Sequence, residues 1–244
     1  MNVARCPIVE LRQYTLHPGQ RDALITLFDR EFVESQEELG MTILGQFRDL
    51  DHRDRFVWLR GFETMPGRAK ALASFYGGPA WRAHSAEANA TMLDSDNVLL
   101  LRPVSARSAF PAPGTPRPRA GSAESPESVV VATIWYRGRP FDDDFLTLFD
   151  RQARRLLAEA GAQPLAWLQT LDAENTFPAL PVRTGEHAFA WFARFASAAQ
   201  AAAAEDRLSR SGPWQEKVLP RLSAMAARAP DRLRLAPTAR SLLR

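Results

Sequence analysis

One passage of this chain is written twice. Thr26-Leu27-Phe28-Asp29-Arg30 returns as Thr147-Leu148-Phe149-Asp150-Arg151, and further landmarks repeat in the same order. Phe56-Val57-Trp58 is echoed by Phe189-Ala190-Trp191, Gly78-Pro79-Ala80-Trp81 by Gly212-Pro213-Trp214, and Leu101-Arg102-Pro103 by Leu235-Ala236-Pro237. A duplicated unit must fold as one supersecondary structure and pack against its own copy, which restricts the architecture severely. The 244 residues therefore divide into a first repeat over 1–103, a linker over 104–128 and a second repeat over 129–244.

Within the first repeat, Ile8 to Tyr14 alternates like a strand and His17-Pro18-Gly19 ends it. A helix is expected from Gln20 to Leu39, with Leu24, Leu27, Phe28, Phe32 and Leu39 on one stripe and Gly40 as its stop. Strands follow at Thr42–Arg48 and Phe56–Phe62, then a helix opened by Pro79 and running to about Leu93, then a strand over Val98–Leu101. The second repeat fills the same slots at 129–136, 141–160, 163–170, 187–195, 213–228 and 232–235, with an added helix at 197–208. Strand, helix, strand, strand, helix, strand is the split βαβ order of ferredoxin-like domains. Each such sheet carries helices on one face only, and pairing the two bare faces into a barrel would cover both. The linker, rich in Pro, Ala, Ser and Gly with no apolar period, reads as extended and mobile.

Val9-Glu10-Leu11-Arg12-Gln13-Tyr14-Thr15, Pro18-Gly19, Gly45, the Trp58 strand and Pro79-Ala80-Trp81 resemble the NIPSNAP pattern. The run from Asn175 to Arg183 resembles the second-repeat signature of bacterial members. The resemblance covers both copies and skips the linker. It implies an α+β fold of tandem ferredoxin-like (βαββαβ) repeats forming a dimeric α+β barrel within one chain. That superfamily includes cofactor-independent monooxygenases, dehydratases, cyclases and haem-binding enzymes, so the resemblance transfers fold better than function. It also implies further pairing into a homo-oligomer, although fusion of both halves allows a monomer.

Several function classes are set aside. Arginines thicken toward the end, but acids are interspersed and no aromatic platform accompanies them, so nucleic acid is not expected; the bland reading is a solvated helical face with a frayed tail. Cys6 is the only cysteine, which excludes an intrachain disulfide and a thiolate-rich zinc site. No leader-like or membrane-spanning apolar run occurs, and a cytoplasmic protein is the default expectation. Phosphate loops, nucleophile elbows and metalloprotease motifs are absent, and His17, His52, His84 and His187 form no close pair. No metal and no tightly bound cofactor are expected. Asp142-Asp143-Asp144 stands at a helix start, where acids complement the macrodipole.

Differences between the copies are more informative than motifs. Counting back from Pro18 and Pro140 sets Glu10 against Ala132, Arg12 against Ile134 and Tyr14 against Tyr136. Counting on from the shared landmarks sets Gln46 against Trp167, Arg60 against Ala193, His84 against Lys217, Ser85 against Val218 and Asn89 against Leu222. Polar residues of the first copy meet apolar residues of the second. Glu10, Arg12 and Tyr14 share one strand face, as do Phe56, Trp58, Arg60 and Phe62, while Trp81, His84, Ser85, Ala88 and Met92 share a helical stripe. These residues outline a small-molecule site between helix and sheet of the first repeat, for an apolar or aromatic ligand. Arg60 and Arg12 would hold a carboxylate or enolate oxygen, His84 would move a proton, and Trp58 and Trp81 would form walls. Tyr14, Gln46, Ser85 and Asn89 complete the candidate set, and Trp167, Val218 and Leu222 are expected to fill the corresponding space in the second copy. Against this stand a purely structural Glu10–Arg12–Arg60 network, a hydrogen-bonded core His84 and a solvent-facing Asn89. The rival functions are a non-catalytic binding or interaction protein and haem binding through His84.

Overall fold

The computed structural model describes residues 6–112 and 114–244. Its eight strands are β1 (Ile8–Leu16), β2 (Thr42–Asp49), β3 (Arg55–Phe62), β4 (Met92–Pro103), β5 (Val129–Arg137), β6 (Pro164–Thr170), β7 (His187–Phe195) and β8 (Asp231–Pro237). They close into one barrel in the order β1-β3-β2-β8-β5-β7-β6-β4. Each repeat contributes four consecutive strands to this circle, in matching order. The two halves join where Phe47–Asp49 of β2 lies beside Leu235–Pro237 of β8, and where Leu101–Pro103 of β4 lies beside Leu168–Thr170 of β6. Closure leaves no edge strand among the described residues.

Alternation along the strands separates three cores. Val9, Leu11, Val57 and Leu59 point into the barrel and meet Val130, Ala132, Ile134 and Phe192 of the other half. The opposite strand faces carry the helices: α1 (Arg21–Leu27), α2 (Glu34–Glu37), α3 (Met65–Tyr76) and α4 (Pro79–Ala90) in the first repeat. The second repeat has α5 (Asp143–Leu148), α6 (Arg154–Glu159), α7 (Ala198–Ser209) and α8 (Leu219–Ala224). The best-preserved part of the repeat falls on a π-helical turn in both copies, Phe28–Phe32 and Phe149–Ala153. That turn breaks the single helix expected over 20–39 and directs Phe28 and Phe149 into their cores.

Three expectations are corrected. Helix α3 was not expected, because Met65-Pro66-Gly67 opens it; yet proline is harmless in a first turn, and the Thr64 hydroxyl caps the N–H of Gly67 at 3.0 Å. The linker is docked: Phe110 enters the barrel interior with its ring 5.0 Å from that of Phe192, and Arg117 donates to the Glu37 carboxylate and the Ile43 carbonyl at 2.6 Å each. The C-terminal segment is docked too. Arg240 pairs with Glu34, and Leu243 joins the barrel core with its N–H bonded to the Leu44 carbonyl. No helix among the described residues is long and apolar enough to cross a membrane.

Candidate functional site

Glu10 and Arg12 project from β1 toward the helices, Arg60 projects from the neighbouring β3, and all three are fully buried. Their strands pair Glu10 with Arg60 and Arg12 with Trp58, which places the charges side by side. Glu10 accepts from Arg12 Nη1 at 2.9 Å, from Arg60 Nε at 3.1 Å and Nη2 at 2.6 Å, and from Arg68 Nε at 2.7 Å. Arg60 also donates to Gln36 of α2 at 2.8 Å, and Arg12 donates to the Tyr14 hydroxyl at 2.9 Å. Burial alone would raise the Glu10 pKa; Arg60, Arg12 and Arg68 overcome it and hold the carboxyl well below its usual range. Burial pushes the Tyr14 phenol up.

Sequence reasoning missed Arg68, because its helix was missed. Its signal was available, since α3 occupies the slot of the second-copy helix that was expected from the repeat. With Arg68 counted, three guanidiniums surround one carboxylate and the cluster carries a net charge of +2. Among the described residues, Arg68 Nη1 is satisfied by neutral oxygens alone, Asn175 Oδ1 at 3.0 Å and Thr176 Oγ1 at 3.3 Å. Its Nη2 is buried without a hydrogen-bond partner among the described residues, as is Trp58 Nε1. The aromatic faces help: Arg60 lies 4.9 Å from the Trp58 ring and 5.4 Å from the Phe62 ring.

Asn175 and Thr176 belong to the loop between β6 and β7, so the second repeat covers the first repeat's charges. Phe177 stacks on Tyr76 with ring centroids 5.8 Å apart, and Leu180 and Val182 pack on the same core. Asn175 is itself held by the Leu180 carbonyl at 2.8 Å. The Asn175–Arg183 run is thus a cover over the Glu10 cluster.

The remaining candidates disperse. Trp81 packs with Phe32, Phe75 and Tyr76 at the outer edge of the same core. His84 is half-buried there, its ring 6.4 Å from that of Phe32 and its Nε2 3.4 Å from Glu31, with Glu87 also near. Ser85 is half-buried and Asn89 faces solvent. Gln46 lies apart, donating to Asp29 at 3.2 Å, and burial pushes the Asp29 carboxyl up to about 6 although Arg240 and Arg117 oppose it.

The strand comparison needs a shift of one residue. Glu10 pairs with Arg60 and Val131 with Ala193, so Val131, Thr133 and Trp135 are the counterparts of Glu10, Arg12 and Tyr14. Ala132, Ile134 and Tyr136 face the barrel interior instead. Pro18 and Pro140 are not equivalent positions; the Thr-Leu-Phe-Asp-Arg repeat, counted back, gives the correct register, and a slip of one reverses every side chain. Gln46 and Trp167 do correspond, each opposite a repeated tryptophan. The expected filling of the second copy is also corrected. Trp167, Val218 and Leu222 are buried in its core, yet a cleft of about 240 Å³ remains beside Val131, Thr133 and Ala201, where the first copy places Glu10, Arg12 and Arg68.

Residues 9–107 match the family model NIPSNAP. A search of curated protein sequences finds no match. Among solved structures, the chain is similar to a protein named "putative monooxygenase" from Fusobacterium nucleatum, at 9% identity and TM-score 0.57, covering 96% of this chain and 93% of that one. It is similar to an anthrone oxidase-like protein at 12% identity and TM-score 0.55, covering 98% and 94%. A NIPSNAP family protein of Agrobacterium tumefaciens is 19% identical over 41% of this chain and 89% of its own, with TM-score 0.38. The two full-length likenesses show the α+β barrel; at such identity they carry the fold alone.

Proposed function

We propose that the chain, whose residues 9–107 match the NIPSNAP family model, belongs to that family and binds a small molecule with an anionic head and an aromatic body in its first repeat. The single observation that carries this reading is the uncompensated charge: Arg12, Arg60 and Arg68 share one carboxylate, and Arg68 Nη2 has no partner among the described residues. A carboxylate or enolate oxygen is the natural complement of an arginine fork, because it brings the opposite charge and can accept two parallel N–H bonds, which a neutral acceptor does not. Asn175 and Thr176 stand as those neutral acceptors, so an anion would compete with the loop for Arg68.

In this scheme Arg68 and Arg60 hold the head, Trp58 and Trp81 flank the body, and the 175–183 loop lifts and recloses around the ligand. His84, at the rim with Glu31, is the group suited to exchange a proton with the ligand's outer part. The fold neighbours named as monooxygenase and anthrone oxidase-like support an aromatic ligand, by analogy of fold only. The test is a melting series with benzoate against isosteric neutral benzamide. Benzoate is expected to raise the melting temperature, benzamide to leave it, and Arg68→Ala to abolish the rise. Equal shifts for the two compounds, or a full benzoate effect in Arg68→Ala, would refute it.

A further inference from the structure

The first repeat fills the space between helices and sheet with charge, whereas the second repeat leaves the corresponding space open. The counterparts explain the opening. Glu10, Arg12, Arg60 and Arg68 become Val131, Thr133, Ala193 and Ala201, and Gln36 becomes Leu157, so long polar side chains are exchanged for short ones. The frame does not close over the lost volume, because β5 and β7 pair along their whole length and Ser197 caps α7 in place. What remains is a cleft of about 240 Å³ between β5, β7 and α7.

We infer that this cleft is a second binding site, for a neutral aromatic molecule of about two fused rings. Its walls are Trp135, Trp191, Trp214 and Phe195, with Ala201 and Ala204 of α7 leaving the room. Among the described residues no charged side chain lines its interior; Glu205 and Arg232 stand at the exposed rim and pair with each other. An ion entering would lose its hydration and meet no partner, which excludes the anion assigned to the first repeat. Aromatic walls favour a flat apolar guest through stacking and edge contacts. A dry cavity of roughly 150 Å³ is enough for benzene, so the larger cleft fits a bicyclic ring system. Thr133, half-buried in the floor, and Gln215, at the rim, offer one hydrogen bond each to a hydroxyl or ring N–H.

The site is independent of the first repeat's, and the two are tested apart. Calorimetric titration of the full chain with indole is expected to show saturable binding, with indole-3-carboxylate much weaker at this site. Ala201→Leu places a side chain inside the cleft and should weaken indole binding roughly tenfold or more while leaving the melting temperature unchanged or raised. Should that variant not fold, Ala204→Leu, one turn along the same wall, makes the same test. Arg68→Ala, in the other repeat, should leave indole affinity as it is. Absence of indole binding by the wild type, or undiminished binding in the folded filling variant, would overturn the assignment.

Discussion

Removing Glu10 should harm this protein more than removing any of the arginines that hold it. The cluster carries three cations and one anion inside the fold, so Glu10→Ala leaves three guanidiniums buried together without a counter-charge. Breaking a buried pair by deleting one partner costs about 3–5 kcal/mol. For a chain of this length each kcal/mol moves the melting temperature by roughly 2–4 °C, so a fall of about 6–20 °C is expected. Arg60→Ala acts differently. It deletes two bonds to Glu10 and one to Gln36, but Arg12 and Arg68 still hold the carboxylate and the buried charge falls to +1. Its cost is that of lost hydrogen bonds and packing, about 1–3 kcal/mol. Replacing all four residues by their second-copy counterparts, Glu10→Val, Arg12→Thr, Arg60→Ala and Arg68→Ala, removes the charge altogether. That variant should melt nearer the wild type than Glu10→Ala does, since exchanging a whole buried ionic group for apolar residues is often neutral or stabilising. The pH dependence has a definite sign. The folded Glu10 pKa lies below its ordinary value of 4.5, so its stabilisation is present above about pH 4.5 and is lost as pH falls toward the folded value. The gap between wild type and Glu10→Ala should therefore narrow on acidification. Thermal and urea denaturation of the three variants read all of this. A melting temperature for Glu10→Ala within about 2 °C of wild type, or a larger fall for Arg60→Ala, would refute the charge argument.

Asp29 should show the opposite slope: with a folded pKa of about 6 against an ordinary 3.8, its burial destabilises the protein above pH 6 and ceases to do so as pH falls toward 4. Asp29→Asn is accordingly expected to raise stability at pH 7.5 and to flatten that part of the curve; an unchanged pH profile would contradict it. Limited trypsinolysis should begin at exposed Arg107 and Arg119, spare Arg117, which is docked and precedes Pro118, and leave the two halves associated through the barrel. Early cuts within β3 or β7, followed by separation of the fragments, would argue against the closed barrel. Phe110→Ala removes a ring buried against Phe192 and should cost about 3–5 kcal/mol in urea denaturation. A loss under about 1 kcal/mol would mean that the linker is not part of the core.

The repeat made the architecture readable, because two copies of one strand-and-helix order with one bare face each have few ways to cover themselves. What stayed hidden depended on local compensation. Proline and glycine at the start of α3 look like breakers until Thr64 is seen as the cap, and with α3 went Arg68, the residue that tips the buried charge balance. Phe110 and Arg117 sit in a stretch with no apolar period, and single anchors leave no periodic trace. The strand contrast was visible in kind but misplaced by one residue, since proline marks a turn without fixing its length. The grouping of Glu10, Arg12, Tyr14, Trp58 and Arg60 was legible from strand parity; His84, Ser85 and Asn89 share a helical stripe whose far end turns to solvent, which parity alone does not reveal.

In an assembly of two identical chains every substitution is made in duplicate, once on each side of the symmetry axis, and a useful change in one half is imposed on the other. The seams between β2 and β8 and between β4 and β6 tie two sheets of a single polypeptide together, and so release each half from that obligation. Glu10 and Val131 occupy corresponding points of the barrel and could never coexist in a homodimer of this unit. Nor could a loop from one half become a permanent cover for the other while its own half went uncovered. Division of labour is thus open to this chain through its covalent continuity, and each half is free to drift where its twin is held.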